Sequence, residues 1–473
     1  MLFNSFQFLW LFPLVFAITW LLAGKWMKND KLQNAFLLAV SYGVFMQYKP
    51  IYALILLGIT AVTYFGALII EKKQAYGKQK YIITLFVTLA LLPLLVFKYY
   101  NFLNDSLTEV LQSIGVQSGL PGLNWAVPLG ISFFSFQAVG YLWDVYYKRI
   151  EAERNWWDYM LFVSFFPQLA SGPISRAHDL LPLIKAHRTF DYVKAVQGCQ
   201  WLLWGMFMKV VVADRVGLMV DTILPNYMYC SGSTCLFGAV LYSFQIYADF
   251  AGYSLMAIGV GRLVGFDLIN NFERPYFAAT ITEFWRRWHI SLTKWLTNFV
   301  YIPLGGSRCS KARSYMNIIV TFLVSGIWHG ANWTFIVWGG IHGVFQIIEK
   351  FFGIQKCGSK WIRPMRILFT FAIATVAWIL FRMPTIESAW GVLTKILTDF
   401  GVLNIPGDNT SFMFIAMFLT LLIVKEWFEE YHPQISLFNN KNVIVRWISY
   451  IAMVVIILLC GVFDAGSFIY VSF

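Results

Sequence analysis

Charge is what this sequence has least of. Only 13% of its 473 residues are Asp, Glu, Lys or Arg, against 59% hydrophobic, and its mean hydropathy is +0.62. Soluble domains carry about 25% charged residues. A water-soluble globule is therefore excluded, because it could not bury this much Leu, Ile, Val, Phe and Trp. Histidine is scarce too, with six. The six cysteines form no CxxC pair and no His/Cys ligand spacing, so no metal is expected. Cys230 and Cys235 share one short polar loop, where an extracytoplasmic location would permit a disulfide. Linkers rich in Pro, Gly or Ser, low-complexity tracts and internal repeats are missing as well. One membrane domain over residues 1–473 is the economical expectation.

What is present is hydrophobic length. Runs such as Leu32–Tyr48, Ile51–Ile70, Ile82–Tyr99, Ile367–Phe381, Phe412–Val424 and Val445–Val462 approach the roughly 20 residues that cross about 30 Å of hydrocarbon. The expected fold class is an all-α polytopic membrane protein. Leu2–Leu22 follows Met1 with no basic n-region and reads as a retained span, not a cleaved signal peptide. The net charge of +12 reads as positive-inside bias, so the partner is a lipid bilayer and not nucleic acid. Lys25, Lys28 and Lys31, then Lys72, Lys73, Lys78 and Lys80, then Lys148, Arg149 and Arg154 make every second loop basic. Those loops are assigned to the cytoplasm, with both termini extracytoplasmic, in a multi-pass protein of the cytoplasmic (inner) membrane.

Three segments depart from simple crossing. Tyr159–Gly172 is too short to span and is basic on both sides, so it is expected to be re-entrant. Trp201–Leu224 crosses but carries Lys209, Asp214, Arg215 and Asp221, and Lys209 is expected near the cytoplasmic interface. Tyr315–Lys350 is flanked by basic residues at both ends. It predicts a hairpin with arms of about 26 Å, turning at Gly330–Trp333 beside His329.

Two motifs hold the residues with chemistry in them. In Thr282–Trp295, helical spacing puts Trp285, Trp288, His289, Leu292 and Trp295 on one face, with Arg286 and Arg287 off it. That is an amphipathic interfacial helix, serving either as a headgroup anchor or as part of a site. In Ser325–Trp333, His329 lies inside an apolar hairpin between Trp328 and Gly330, followed by Asn332 and Trp333. An ionisable group at such depth is a functional candidate, and imidazole is the usual base near neutral pH. A histidine satisfied by a nearby carbonyl is the bland alternative. His342 reads as a packing residue, while His178, His187 and His432 read as solvated.

Phe284–Ser291 with Tyr301–Gly306, together with Gly326–Trp333, resemble the signatures of the membrane-bound O-acyltransferase superfamily. The likeness is to its bacterial branch of alginate and peptidoglycan O-acetylation. Further matches are Pro128–Phe133 with Gln137, Tyr141 and Asp144; Phe165–Gln168 with Gly172–Ile174; Lys209–Arg215; and Tyr247–Tyr253, covering about residues 40–350. The resemblance implies a helical shell of roughly ten to twelve membrane helices and re-entrant segments around a central tunnel. It also implies a catalytic histidine at His329 and a second active-site residue at His289.

The implied reaction moves an acetyl group from a cytoplasmic thioester, acetyl-CoA or an acyl-carrier protein, toward hydroxyls of an exported polysaccharide. His329 would be the general base, and His289 would orient it or donate to the thioester carbonyl. Trp285, Arg286, Arg287, Trp288, Ser291, Trp328, Asn332 and Trp333 are donor-binding or tunnel candidates, and Arg308, Lys311 and Arg313 extend a basic rim. No bound cofactor is expected. The ending Phe468–Phe473 is either an aromatic anchor or, by resemblance, a motif in which Tyr470 carries the acyl group to an extracytoplasmic acetyltransferase partner. D-alanyl transfer to teichoic acid is the alternative within the family. A membrane transporter is the alternative outside it.

Overall fold

A computed structural model of the chain describes residues 3–23, 29–47, 49–73, 79–116, 120–356, 361–436 and 438–463. Tyr470 lies outside them. Every regular element among the described residues is helical. Among the described residues six helices are long and apolar enough to cross a membrane: Phe6–Ala23, Tyr52–Lys72, Gln79–Ser113, Arg363–Arg382, Asn409–Tyr431 and Val443–Cys460. The chain divides into two compact units, Met1–Gly198 with Val260–Ile269, and Cys199–Gly259 with Asn270–Phe473.

In the first unit, Tyr52–Lys72 and Gln79–Leu94 pack against Ile131–Tyr146. That last helix is apolar nearly all round and correspondingly buried on nearly every side. The segment expected to be re-entrant forms helices of nine residues (Trp156–Ser164) and four (Phe166–Leu169), broken at Phe165 just before Pro167. At 1.5 Å per residue neither can cross. Gly130 takes φ +70° beside it, and a Cβ there would collide with the Leu169 carbonyl, so this close crossing requires glycine. The segment Val260–Ile269 folds back into this unit. The Trp20 indole donates to the Leu263 carbonyl at 2.8 Å, and Asp267 pairs with Lys194 at 2.7 Å and Arg262 at 2.9 Å.

The second unit contains the hairpin. Its arms are Lys311–His329 and Trp333–Phe351, joined by Gly330–Asn332 as the sequence predicts. A Cβ on Gly326 would strike the Phe335 carbonyl, and one on Gly339 the Phe322 carbonyl, so small residues set the distance between the arms. The Asn332 side chain starts the return arm by accepting the Thr334 N–H at 3.0 Å.

Two expectations are corrected here. Lys209, in the segment expected to cross, is buried within the protein, 2% exposed and 2.7 Å from both Asp214 and Asp249. Two carboxylates remove the cost that burial of a lone ammonium would carry. The helix also widens to a π turn over Phe207–Ala213, so 201–224 is not one regular span. Cys230 and Cys235 are both free thiols, the latter donating to the Tyr227 carbonyl at 3.8 Å. Their loop packs on the one following Asp399, where Ser231 Oγ donates to the Val402 carbonyl at 2.8 Å and Thr234 Oγ1 to that of Asn404 at 3.0 Å.

Candidate active site

The Thr282–Trp295 stretch is two helices, not one. Ile281–Arg287 ends, Trp288 is extended, His289 takes φ 42° and ψ 54°, and Ile290–Leu296 begins. A left-handed backbone costs a residue with a Cβ roughly 1–2 kcal/mol, so something must hold it. Asn271 does: its carbonyl accepts the Ile290 N–H at 2.9 Å, and its Oδ1 accepts the Ser291 N–H at 3.1 Å and the Ser291 hydroxyl at 2.9 Å. The first helix is anchored from the hairpin. Glu349 accepts the Ile281 and Thr282 N–H groups and the Thr282 hydroxyl, while Thr280 caps the Glu283 N–H.

This break turns the aromatic face inward. Trp285, Trp288, His289, Leu292 and Trp295 are all buried, so the headgroup-anchor reading fails. His289 is fully buried, with its Nδ1 3.2 Å from Asn271 Oδ1 and its ring 4.7 Å from Phe250. Its segment belongs to none of the six spanning helices. Burial pushes its pKa down to about 3, so the ring is neutral at physiological pH.

His329 is the last residue of the outgoing arm and is 2% exposed. Trp328 and Trp338 each lie 4.9 Å from its ring, Phe381 lies at 5.4 Å and His289 at 6.4 Å, all between centroids. The two histidines therefore share one aromatic chamber. The pairs with Trp328, Trp338 and Phe381 are all steeply inclined, edge-to-face arrangements. The indole N–H groups of Trp285, Trp288 and Trp338 are buried and meet no acceptor among the described residues, leaving donors for a ligand oxygen. His342 is fully buried, parallel to Phe284 and edge-on to Trp285 and Trp338.

A cavity of about 440 Å³ opens between the first of these helices and the hairpin, lined among others by Trp285, Arg286, Tyr301, Thr321, Ser325 and Lys350. Ser325 is one turn before His329 on the same arm. Arg286 is exposed and lines this cavity. Arg287 does something else: it grips Glu430 through both terminal nitrogens at 2.9 Å and Glu283 at 2.8 Å. Asn332 caps its helix and donates to the Pro384 carbonyl at 2.7 Å, and Trp333 is 52% exposed, so neither joins the chamber. Among the described residues no group of three or more His, Cys, Asp or Glu is placed to hold a metal ion.

Asn271 and Trp338 were not singled out in the sequence. Trp338 sits inside an apolar run where an indole looks like any packing residue, and Asn271 sits in a connecting stretch whose only signal is the Asn270–Asn271 pair.

Residues 147–390 match the MBOAT family, membrane-bound O-acyltransferases. A probable alginate O-acetylase of Azotobacter vinelandii is 37% identical over 426 residues, covering 89% of this chain and 83% of that protein. A peptidoglycan O-acetyltransferase of Helicobacter pylori is 33% identical over 432 residues, covering 85% and 81%. A teichoic acid D-alanyltransferase of Streptococcus thermophilus is 28% identical over 283 residues, covering 54% and 68%.

Proposed function

This chain belongs to the membrane-bound O-acyltransferase family, and from that premise we propose that it passes an acetyl group from a thioester to a hydroxyl of a cell-surface polysaccharide. As a family member it is a membrane O-acyltransferase, which disposes of the transporter reading. Acetyl is favoured over D-alanyl because the alginate and peptidoglycan O-acetylating relatives match more of the chain at higher identity.

The observation that carries the proposal is the buried pair His289 and His329, 6.4 Å apart in an aromatic chamber beside the 440 Å³ cavity. His329 takes the proton of the acceptor hydroxyl as its oxygen attacks the thioester carbonyl. The tetrahedral adduct collapses, the C–S bond breaks, and the proton returns to the departing sulfur. Arg286 and Lys350 on the cavity suit a phosphorylated donor, acetyl-CoA or the pantetheine of a carrier protein. The donor is a substrate, and no cofactor is called for.

Tyr470 remains part of the proposal as a phenol that takes up the acetyl group and offers it to an extracytoplasmic transferase. The setting proposed is the cytoplasmic membrane. In lipid nanodiscs His329→Ala should release thiol from acetyl-CoA at least about a hundredfold more slowly, within the range of a lost acid–base group. Near-normal release by folded variant would sink the assignment. An acetyl mass on the C-terminal peptide, lost in Tyr470→Phe, is expected; a bare peptide under trapping conditions counts against the relay.

A further inference from the structure

We infer that Asn271 is a positioning residue that fixes His289 as its Nδ1–H tautomer, leaving the Nε2 lone pair as the nitrogen offered to the reaction. The Ser291 N–H can only donate, so the side-chain atom of Asn271 that it meets at 3.1 Å must be the amide oxygen. The Asn271 amide therefore cannot be flipped. Its nitrogen is turned the other way, toward Ser254 Oγ at 3.3 Å.

That oxygen only accepts. His289 Nδ1 lies 3.2 Å from it, so a hydrogen bond between them requires the proton on Nδ1. In the neutral ring Nε2 is then bare. The Ser291 hydroxyl also donates to the same oxygen, at 2.9 Å, and stands 3.5 Å from Nδ1. The groups around the ring are Phe250 from the long helix Gly232–Leu263, Asn271 and Phe272 from the turn, Ser291 from its own helix, and Trp328 and His329 from the hairpin. Of these named groups only His329 is titratable, and the oxygen that faces Nδ1 at 3.2 Å is that of a neutral amide.

The inference rests on the proposed function and narrows it. A neutral His289 with a bare Nε2 accepts a hydrogen bond or a proton; it cannot donate to the thioester carbonyl. Its part is to receive, either from His329 or from the acceptor hydroxyl. The carbonyl oxygen is left to other donors, among which the buried indole N–H groups of Trp285 and Trp338 are available.

The tautomer can be read without substrate. The full chain, labelled with [15N]histidine in lipid bilayers, is examined by solid-state NMR, with the His289 signals assigned by their loss in His289→Gln. A protonated Nδ1 and a bare Nε2 are expected at neutral pH. Asn271→Asp keeps the accepting oxygen and adds charge, so the Nδ1–H signature should persist while the ring's protonation midpoint rises by about one to three pH units. Asn271→Ala should yield a mixture of tautomers and lower the kcat of acetyl-CoA cleavage by about a hundredfold with KM little changed. A proton on Nε2 in the wild-type chain, or the wild-type signature surviving in Asn271→Ala, overturns the inference. Should Asn271→Ala not fold, the wild-type and Asn271→Asp spectra decide alone. Full activity in His289→Gln would sink the functional reading instead, without moving the wild-type spectrum.

Discussion

Asp267 shows how a single side chain makes stability depend on pH. Burial by itself would raise its carboxyl, but Lys194 and Arg262 outweigh that and hold it below the ordinary carboxylate range. A depressed folded-state pKa contributes stability above the unfolded value of about 3.9, and that contribution is lost as pH falls through the folded value. Asp267→Asn should therefore lower the Tm of the solubilised protein at pH 7, and the difference from wild type should shrink as pH falls below the unfolded value of about 3.9 and through the lower folded one. A difference independent of pH would mean the pair contributes by packing alone. Lys209 is the more severe case, since it is buried and faces two carboxylates. Lys209→Met leaves those carboxylates without their cation, at a cost of about 3–5 kcal/mol, enough to depress Tm and yield strongly. An unchanged melting curve would show that the carboxylates take up a proton and manage without it.

The hairpin turns helix packing into site geometry, because His329 and Trp338 come from opposite arms. A Cβ on Gly339 would run into the Phe322 carbonyl, whereas one on Gly340, a single position on, would meet only Leu323 Cδ2 at 3.9 Å. The same chemical change at the two positions should thus have opposite results. Gly339→Ala pries the arms apart, costs about 1–3 kcal/mol and lowers kcat; Gly340→Ala is neutral, or stabilising by up to about 1 kcal/mol through helix propensity. Equal Tm values for the two variants would dismiss backbone contact as what sets the arm spacing. This hairpin was legible in the sequence because apolar length, basic flanks and the Gly330 turn all point the same way. The break at His289 was not. Periodicity reads Trp285 to Trp295 as one helix, and nothing in a 3.6-residue pattern marks a left-handed residue held by a distant Asn271. The partners of Lys209 were hidden for a related reason: hydropathy counts the charge but cannot see Asp249 arriving from another helix. The family motifs single out both histidines, but the residues that surround them look like ordinary membrane filling in the sequence.

At the scale of the whole molecule, the reaction has a direction only if the membrane does. The excess of positive charge was read as cytoplasmic, which puts the Arg308 loop inside and the loop carrying Val402 outside. Within the second unit the Cys230 loop and the loop that follows Asp399 bond to each other, so the two share one face. Ser307, next to Arg308, lines the same cavity as Arg286 and Lys350, so the proposed donor entrance and this basic loop belong together. Val402 is 86% exposed and Arg308 is exposed, which makes both addressable by thiol chemistry once the native cysteines are replaced. In intact cells Val402→Cys should react with a membrane-impermeant maleimide and Arg308→Cys only after permeabilisation. The opposite pattern would invert the protein, put the basic cavity out of reach of a cytoplasmic thioester and defeat the proposed direction of transfer, although His289 and His329 would stand where they are.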